Sequence, residues 1–236
     1  MTDTYIALAI IGLAALIHAS FQLGVSMLTL LSGHSLSIKR SQFRIFRLTT
    51  SFVFGASVMT LLLLCTFALV FNYIATPNNH TLIWGVISGL LVGIGCAVWF
   101  TYYRAGRGTI LWIPRAMADF LEQRTKTTKR SAESFSLGLT SVIGEVVFIV
   151  APLAASAYAL LHLEHLWQVV AIIAYVLISL SSLLIVWAMV GYGHKLSRIQ
   201  RWRERHKSFL QYCAASGLII LGAFTFVNEA LGSMLL

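Results

Sequence analysis

The sequence predicts an all-α membrane protein: six transmembrane helices arranged as two inverted three-helix repeats. Three observations predict it. Hydrophobic residues make up 58% of the 236-residue chain and charged residues only 11%, where a soluble domain carries about 25% charged residues. Apolar stretches long enough to cross a bilayer core of ~30 Å recur along the whole length. All 17 Lys and Arg fall into three blocks between those stretches. The first observation excludes an ordinary soluble enzyme, a disordered tail, a coiled coil and a collagen. The third excludes a nucleic-acid partner for the net charge of +9, because basic blocks confined to alternate loops are anchors against anionic lipid.

The spans follow in order. Span one, Tyr5 to Leu31, is preceded by Met1-Thr2-Asp3-Thr4, which lacks a positive n-region, so it is expected to stay as a membrane helix rather than a cleaved signal. Span two runs from Leu48 to Ile74 and span three from Leu82 to Tyr103, the latter with Gly85, Gly89 and Gly93 on one close-packing face. That face would hold the two repeats together or make a homodimer. Span four covers Ser134 to Leu160, span five Trp167 to Tyr192 and span six Phe209 to Leu236.

The loops after spans one, three and five hold every positive charge; Ala75–Thr81, Leu161–Leu166 and both termini hold none. The positive-inside rule then puts the basic loops in the cytoplasm and both termini outside a plasma (inner) membrane. The chain reads as one transmembrane domain, residues 1–236, with repeat one at 5–103, repeat two at 134–236 and a basic cytoplasmic loop at 104–133. Within that loop Ile110 to Leu121, with Trp112, Pro114 and Phe120, reads as a short interfacial helix.

Repetition supports the two halves. Ser20-Phe21-Gln22-Leu23-Gly24-Val25-Ser26 in span one is echoed by Ser134-Phe135-Ser136-Leu137-Gly138-Leu139-Thr140 in span four, and Ser88-Gly89-Leu90 in span three by Ser216-Gly217-Leu218 in span six. Three helices per copy make the second copy start from the opposite side, the inverted arrangement of many secondary transporters. In these features the chain resembles the superfamily that joins LysE-type exporters to CcdA/DsbD-type electron carriers. The resemblance implies the architecture of two three-helix repeats. It departs from both branches: spans one and four lack the reactive cysteine of the carriers. The Pro-Gly-Pro and Asn-Pro elements of the exporters are also missing, span four having only Ala151-Pro152.

Charged side chains at bilayer depth cost at least ~2.5 kcal/mol on insertion scales, so Glu145 in span four needs a reason. Ser134, Gly138, Ser141 and Glu145 share a helix face, and Pro152 removes a backbone donor two turns later. A carboxyl, small hydroxyls and freed carbonyls suit a proton or cation site; the alternative is a protonated glutamate gluing helices together. His18, Gln22 and Ser26 make a second polar stripe in span one, and a midplane cavity lined by both stripes would let His18 and Glu145 share a proton. His80, His162 and His165 in the outer loops read as solvated loop histidines, with no metal expected; a metal held by them is the alternative, since no third fixed ligand accompanies the His-x-x-His spacing. Only His18 lies deep enough for haem ligation, so no cofactor is expected. Cys65, Cys96 and Cys213 lie singly in the spans, without zinc-site or disulfide spacing.

The expected function is a transporter or exporter of a small solute or ion, proton-coupled through Glu145. A non-transporting membrane subunit or assembly factor that binds a partner helix is the alternative. An intramembrane lipid-modifying enzyme using Glu145 and His18 comes third. Its protease and esterase motifs are missing.

Overall fold

The computed structural model describes residues 2–22, 24–37, 42–101, 123–125, 127–128, 130–192 and 205–232. Helices account for the fold, and no strand occurs among the described residues. They are α1 (Thr2–Ser20), α2 (Gly24–Ser37), α3 (Gln42–Ile74), α4 (His80–Thr101), α5 (Ser131–Leu160), α6 (His165–Ser179), α7 (Ser181–Gly191) and α8 (Lys207–Thr225), followed by a π-helical turn at Phe226–Leu231. Four helical stretches are long and apolar enough to cross a membrane: Phe43–Ile74, Pro77–Phe100, Ser131–Leu160 and Ser208–Leu231. The α6–α7 pair makes a fifth if counted as one span bent by 60°. The chain is therefore an all-α, multi-pass membrane protein.

Two of the expected spans are not single helices. Span one is interrupted between Ser20 and Gly24, and span five at Leu180. Pro152, the residue expected to disturb span four, lies inside α5, which runs unbroken past it. The interfacial helix expected at Ile110 to Leu121, and the basic residues from Arg104 to Arg115 and from Lys195 to Arg203, lie outside the described residues.

Turn chemistry closes the α3–α4 hairpin. Pro77 sets the first position of a 3-10 turn, and Asn79 fastens both sides of it. Its side-chain oxygen accepts from the Thr76 amide at 2.7 Å and its amide donates to the Ile74 carbonyl at 2.9 Å.

The most enclosed spanning helix is α5: 61% of its apolar stretch is buried, against 28–39% for the other three. It packs against α3 and α1, while α4 packs against α8 and α1 against α6. Two glycines set the α3–α5 crossing. A β-carbon on Gly55 would overlap the Phe135 carbonyl, and one on Gly138 would overlap the Phe52 carbonyl. Two serines fasten it in the same reciprocal way: Ser51 donates to the Ser131 carbonyl and Ser134 to the Leu48 carbonyl, both at 2.7 Å. Ser51-Phe52-Val53-Phe54-Gly55 and Ser134-Phe135-Ser136-Leu137-Gly138 thus occupy equivalent places about a local two-fold. With little hydrophobic force between helices in lipid, such close backbone approach and interhelical hydrogen bonds carry the association.

The Gly85, Gly89, Gly93 face does not hold the repeats together. A β-carbon on any of the three would meet nothing within 4 Å, whereas Gly95 and Gly222 are the glycines that let α4 and α8 close up.

Candidate functional site

The two stretches expected as spans one and five meet at their interruptions. In span one, α1 ends in a turn in which the Phe21 amide donates to the His18 carbonyl at 3.1 Å, and Phe21 leaves the helix to stack on Phe148 of α5 with centroids 5.4 Å apart. Helix termini leave carbonyls and amides without partners in their own helix, and side chains from other spans supply them here. Ser182 donates to the Ala19 carbonyl at the end of α1 at 3.2 Å. The first amide of α2, Gly24 N–H, donates to Glu145 Oε1 at 3.0 Å.

In span five the Gln22 side chain makes the break. An uninterrupted helix would bond the Leu183 amide to the Ser179 carbonyl. Instead Gln22 Nε2 donates to the Ser179 carbonyl, and the Leu183 amide donates to Gln22 Oε1 at 3.1 Å. One primary amide has inserted into one rung of the helical ladder, a recognised cause of a sharp kink, and it accounts for the 60° bend. One turn up from Gln22, His18 Nδ1 is hydrogen-bonded to the Tyr175 hydroxyl at 3.0 Å. His18 is 1% exposed, and its Nε2 has no hydrogen-bond partner among the described residues.

Glu145 is 2% exposed. The positive end of the α2 dipole faces its carboxyl, a position where negative charge is offset. Ser141, fully buried, lies beside the same point: its hydroxyl donates to the Gly138 carbonyl at 2.8 Å and would be 3.5 Å from a β-carbon on Gly24. Phe52 and Leu183 lie at ordinary van der Waals distance from the same point, 3.5 and 3.6 Å, so the start of α2 is closely packed. The result is a buried crossing where one carboxyl meets the open start of α2, one primary amide fills the open rung between α6 and α7, and the Ser182 hydroxyl meets the open end of α1.

Of the residues singled out in the sequence, Glu145, His18, Gln22 and Ser141 come together at or next to this crossing. Ser26 does not. It is exposed, because the interruption after Ser20 resets the helical phase, so the four-residue step from Gln22 to Ser26 no longer stays on one face. Pro152 is buried in α5, seven residues and so about 10 Å along the axis from Glu145. The His18 pairing also differs from expectation, since its Nδ1 bonds Tyr175 rather than Glu145.

Tyr175, Ser179 and Ser182 belong to the site and were not singled out. The signal for the two serines is the Ser179-Leu180-Ser181-Ser182 cluster in mid-span, where hydroxyls compete for backbone hydrogen bonds and mark a weak point in a helix.

At the far end of α5, His80 and His162 are in contact, with ring centroids 5.2 Å apart, whereas His165 stands exposed at the head of α6. No set of three His, Cys, Asp or Glu side chains able to hold a metal converges among the described residues. No protein family, curated protein or solved structure matches this chain at significant similarity.

Proposed function

We propose that the chain transports or exports a small solute or ion across a membrane, with Glu145 carrying a coupling proton at the crossing of the two interrupted spans. One observation carries this reading: α2 and α7 both begin at buried breaks, and each first turn is met by a polar side chain from another span, Glu145 on Gly24 and Gln22 on Leu183. Discontinuous spans with half-helix termini facing each other near the midplane are how secondary transporters build binding sites. A buried ionisable residue there is a functional group by default. The unpartnered His18 Nε2 gives the same region a second group able to take or give a proton.

Two inverted three-helix repeats are part of the proposal. Gly138 sits where span four crosses span two, and its sequence echo Gly24 sits where span one meets Leu183 of span five. Spans three and six, through α4 and α8, pair with each other, as do spans one and four through α1 and α5. Rocking of one repeat against the other would separate Glu145 from Gly24 and open the crossing to one side. With the basic loops cytoplasmic, both termini lie outside.

The enclosure of Glu145, at 2% exposed and already hydrogen-bonded, favours a second reading. In it the chain is a non-transporting membrane subunit and the crossing is structural glue.

Proteoliposomes containing a pH-sensitive dye separate the two. Transport predicts that a gradient of one member of a panel of amino acids, amines and inorganic ions moves protons in the wild type and not in Glu145→Gln. A Glu145→Gln variant that moves protons as fast as the wild type would contradict it.

A further inference from the structure

At the end of the bundle away from the basic blocks, the structure puts together two imidazoles that the sequence separates by about a third of the chain. We propose that His80 and His162 form a binding site for a borderline divalent cation of the zinc class.

His80 is the first residue of α4, and His162 lies in the turn that follows α5. Their rings stand at 82° with centroids 5.2 Å apart. Two imidazoles that bind one zinc at Zn–N distances of about 2.0–2.1 Å in tetrahedral geometry have centroids roughly 5 Å apart, so the spacing of the pair is that of two ligands sharing a metal.

The second argument is the orientation of His162. Its Nδ1 lies 3.0 Å from the Tyr158 carbonyl. A carbonyl can only accept, so Nδ1 carries the hydrogen and Nε2 keeps its lone pair. This is the arrangement in which metal-bound histidines are held, one nitrogen donating to a carbonyl and the other left for the ion. The Tyr158 ring packs against both imidazoles, at 5.7 Å from His80 and 5.1 Å from His162, and limits how far either can swing away. Glu229, in the π-helical turn, is close enough for its charge to be felt at Tyr158, the ring that packs on both imidazoles. The protein supplies two ligands and water completes the shell, so binding is reversible rather than structural, structural zinc sites having four protein ligands. Because His80 opens α4 and His162 closes the α5 turn, a bound ion would tie those two helix ends together.

The test uses the full chain, without a histidine tag, purified in detergent, stripped with chelator and titrated calorimetrically with zinc chloride. The expected result is one saturable site per chain. His80→Ala and His162→Ala should each weaken it by more than the roughly tenfold that loss of an outer-shell partner costs, while His165→Ala leaves it unchanged. Gln replacements that melt like the wild type serve if an Ala variant is unstable. X-ray absorption of the zinc-loaded wild type should show two imidazoles on the metal. No saturable zinc binding, unchanged affinity in either single variant, equal loss in His165→Ala, or fewer than two imidazoles in the absorption spectrum would overturn the proposal. Each reading is independent of whether the chain transports anything.

Discussion

Replacing Gln22 with leucine tests whether one side chain holds span five bent. The substitution keeps an aliphatic side chain at a buried position and deletes both amide contacts. It leaves the Ser179 carbonyl and the Leu183 amide facing each other without the group inserted between them, in residues 0% and 1% exposed. A buried polar group deprived of its partner costs about 1–3 kcal/mol. Two such groups give up to ~6 kcal/mol, part of it recovered where α6 and α7 straighten and re-form the rung at the expense of packing against α1. The net expectation is a loss of about 2–4 kcal/mol. At roughly 2–4 °C per kcal/mol for a chain of this size, the melting temperature in detergent should fall by about 5–15 °C. Hydrogen exchange adds a local readout, because the Leu183 amide should lose protection before its neighbours in α7. A Gln22→Leu protein that melts within about 1 °C of the wild type, with Leu183 protection unchanged, would refute the reasoning: the bend would then belong to the serine cluster alone.

Other substitutions separate the remaining contacts. Gly138→Val should destabilise the protein severely, since even a β-carbon there would overlap the Phe52 carbonyl; Gly89→Val, with nothing within 4 Å, should stay within about 0.5 kcal/mol in chemical denaturation of the monomer. Ser134→Ala and Ser51→Ala should each cost about 1 kcal/mol, and by nearly equal amounts because the two hydrogen bonds are reciprocal. Tyr175→Phe removes the partner of His18 Nδ1 and should lower stability by about 1–3 kcal/mol, read as a shift in thermal melting.

The apolar spans were legible because bilayer thickness imposes a length and the absence of water imposes a composition, and both are local properties of the chain. The buried polar residues were legible for the same reason: Glu145, His18 and Gln22 stand out where any polar group is costly. What could not be read was where the helices break. The interruption in span five is made by Gln22, a residue more than a hundred positions away, and no window of span five contains it. Ser26 was misplaced as a consequence, since helical periodicity holds only while the helix continues. Ser134–Gly138 resembles both Ser20–Gly24 and Ser51–Gly55 in sequence but packs against the second, and only packing distinguishes a motif that touches its echo from one that merely resembles it. The contact of His80 with His162 depends on how two turns come together, and neither turn carries that information alone.

The central claim is that Glu145 exchanges a proton at the crossing of the two interrupted spans, and its chemical modification tests this most directly. A hydrophobic carbodiimide reacts with protonated carboxyls inside a membrane, and peptide mass spectrometry assigns the label among Glu122, Glu133, Glu145, Glu164, Glu204 and Glu229. The account predicts that Glu145 is labelled in membranes at acidic pH and that labelling falls progressively as the pH rises and the carboxyl gives up its proton. Glu145 that stays unlabelled at every pH, while another glutamate in the same sample reacts, would contradict it and leave the carboxyl as the cap of α2 and nothing more.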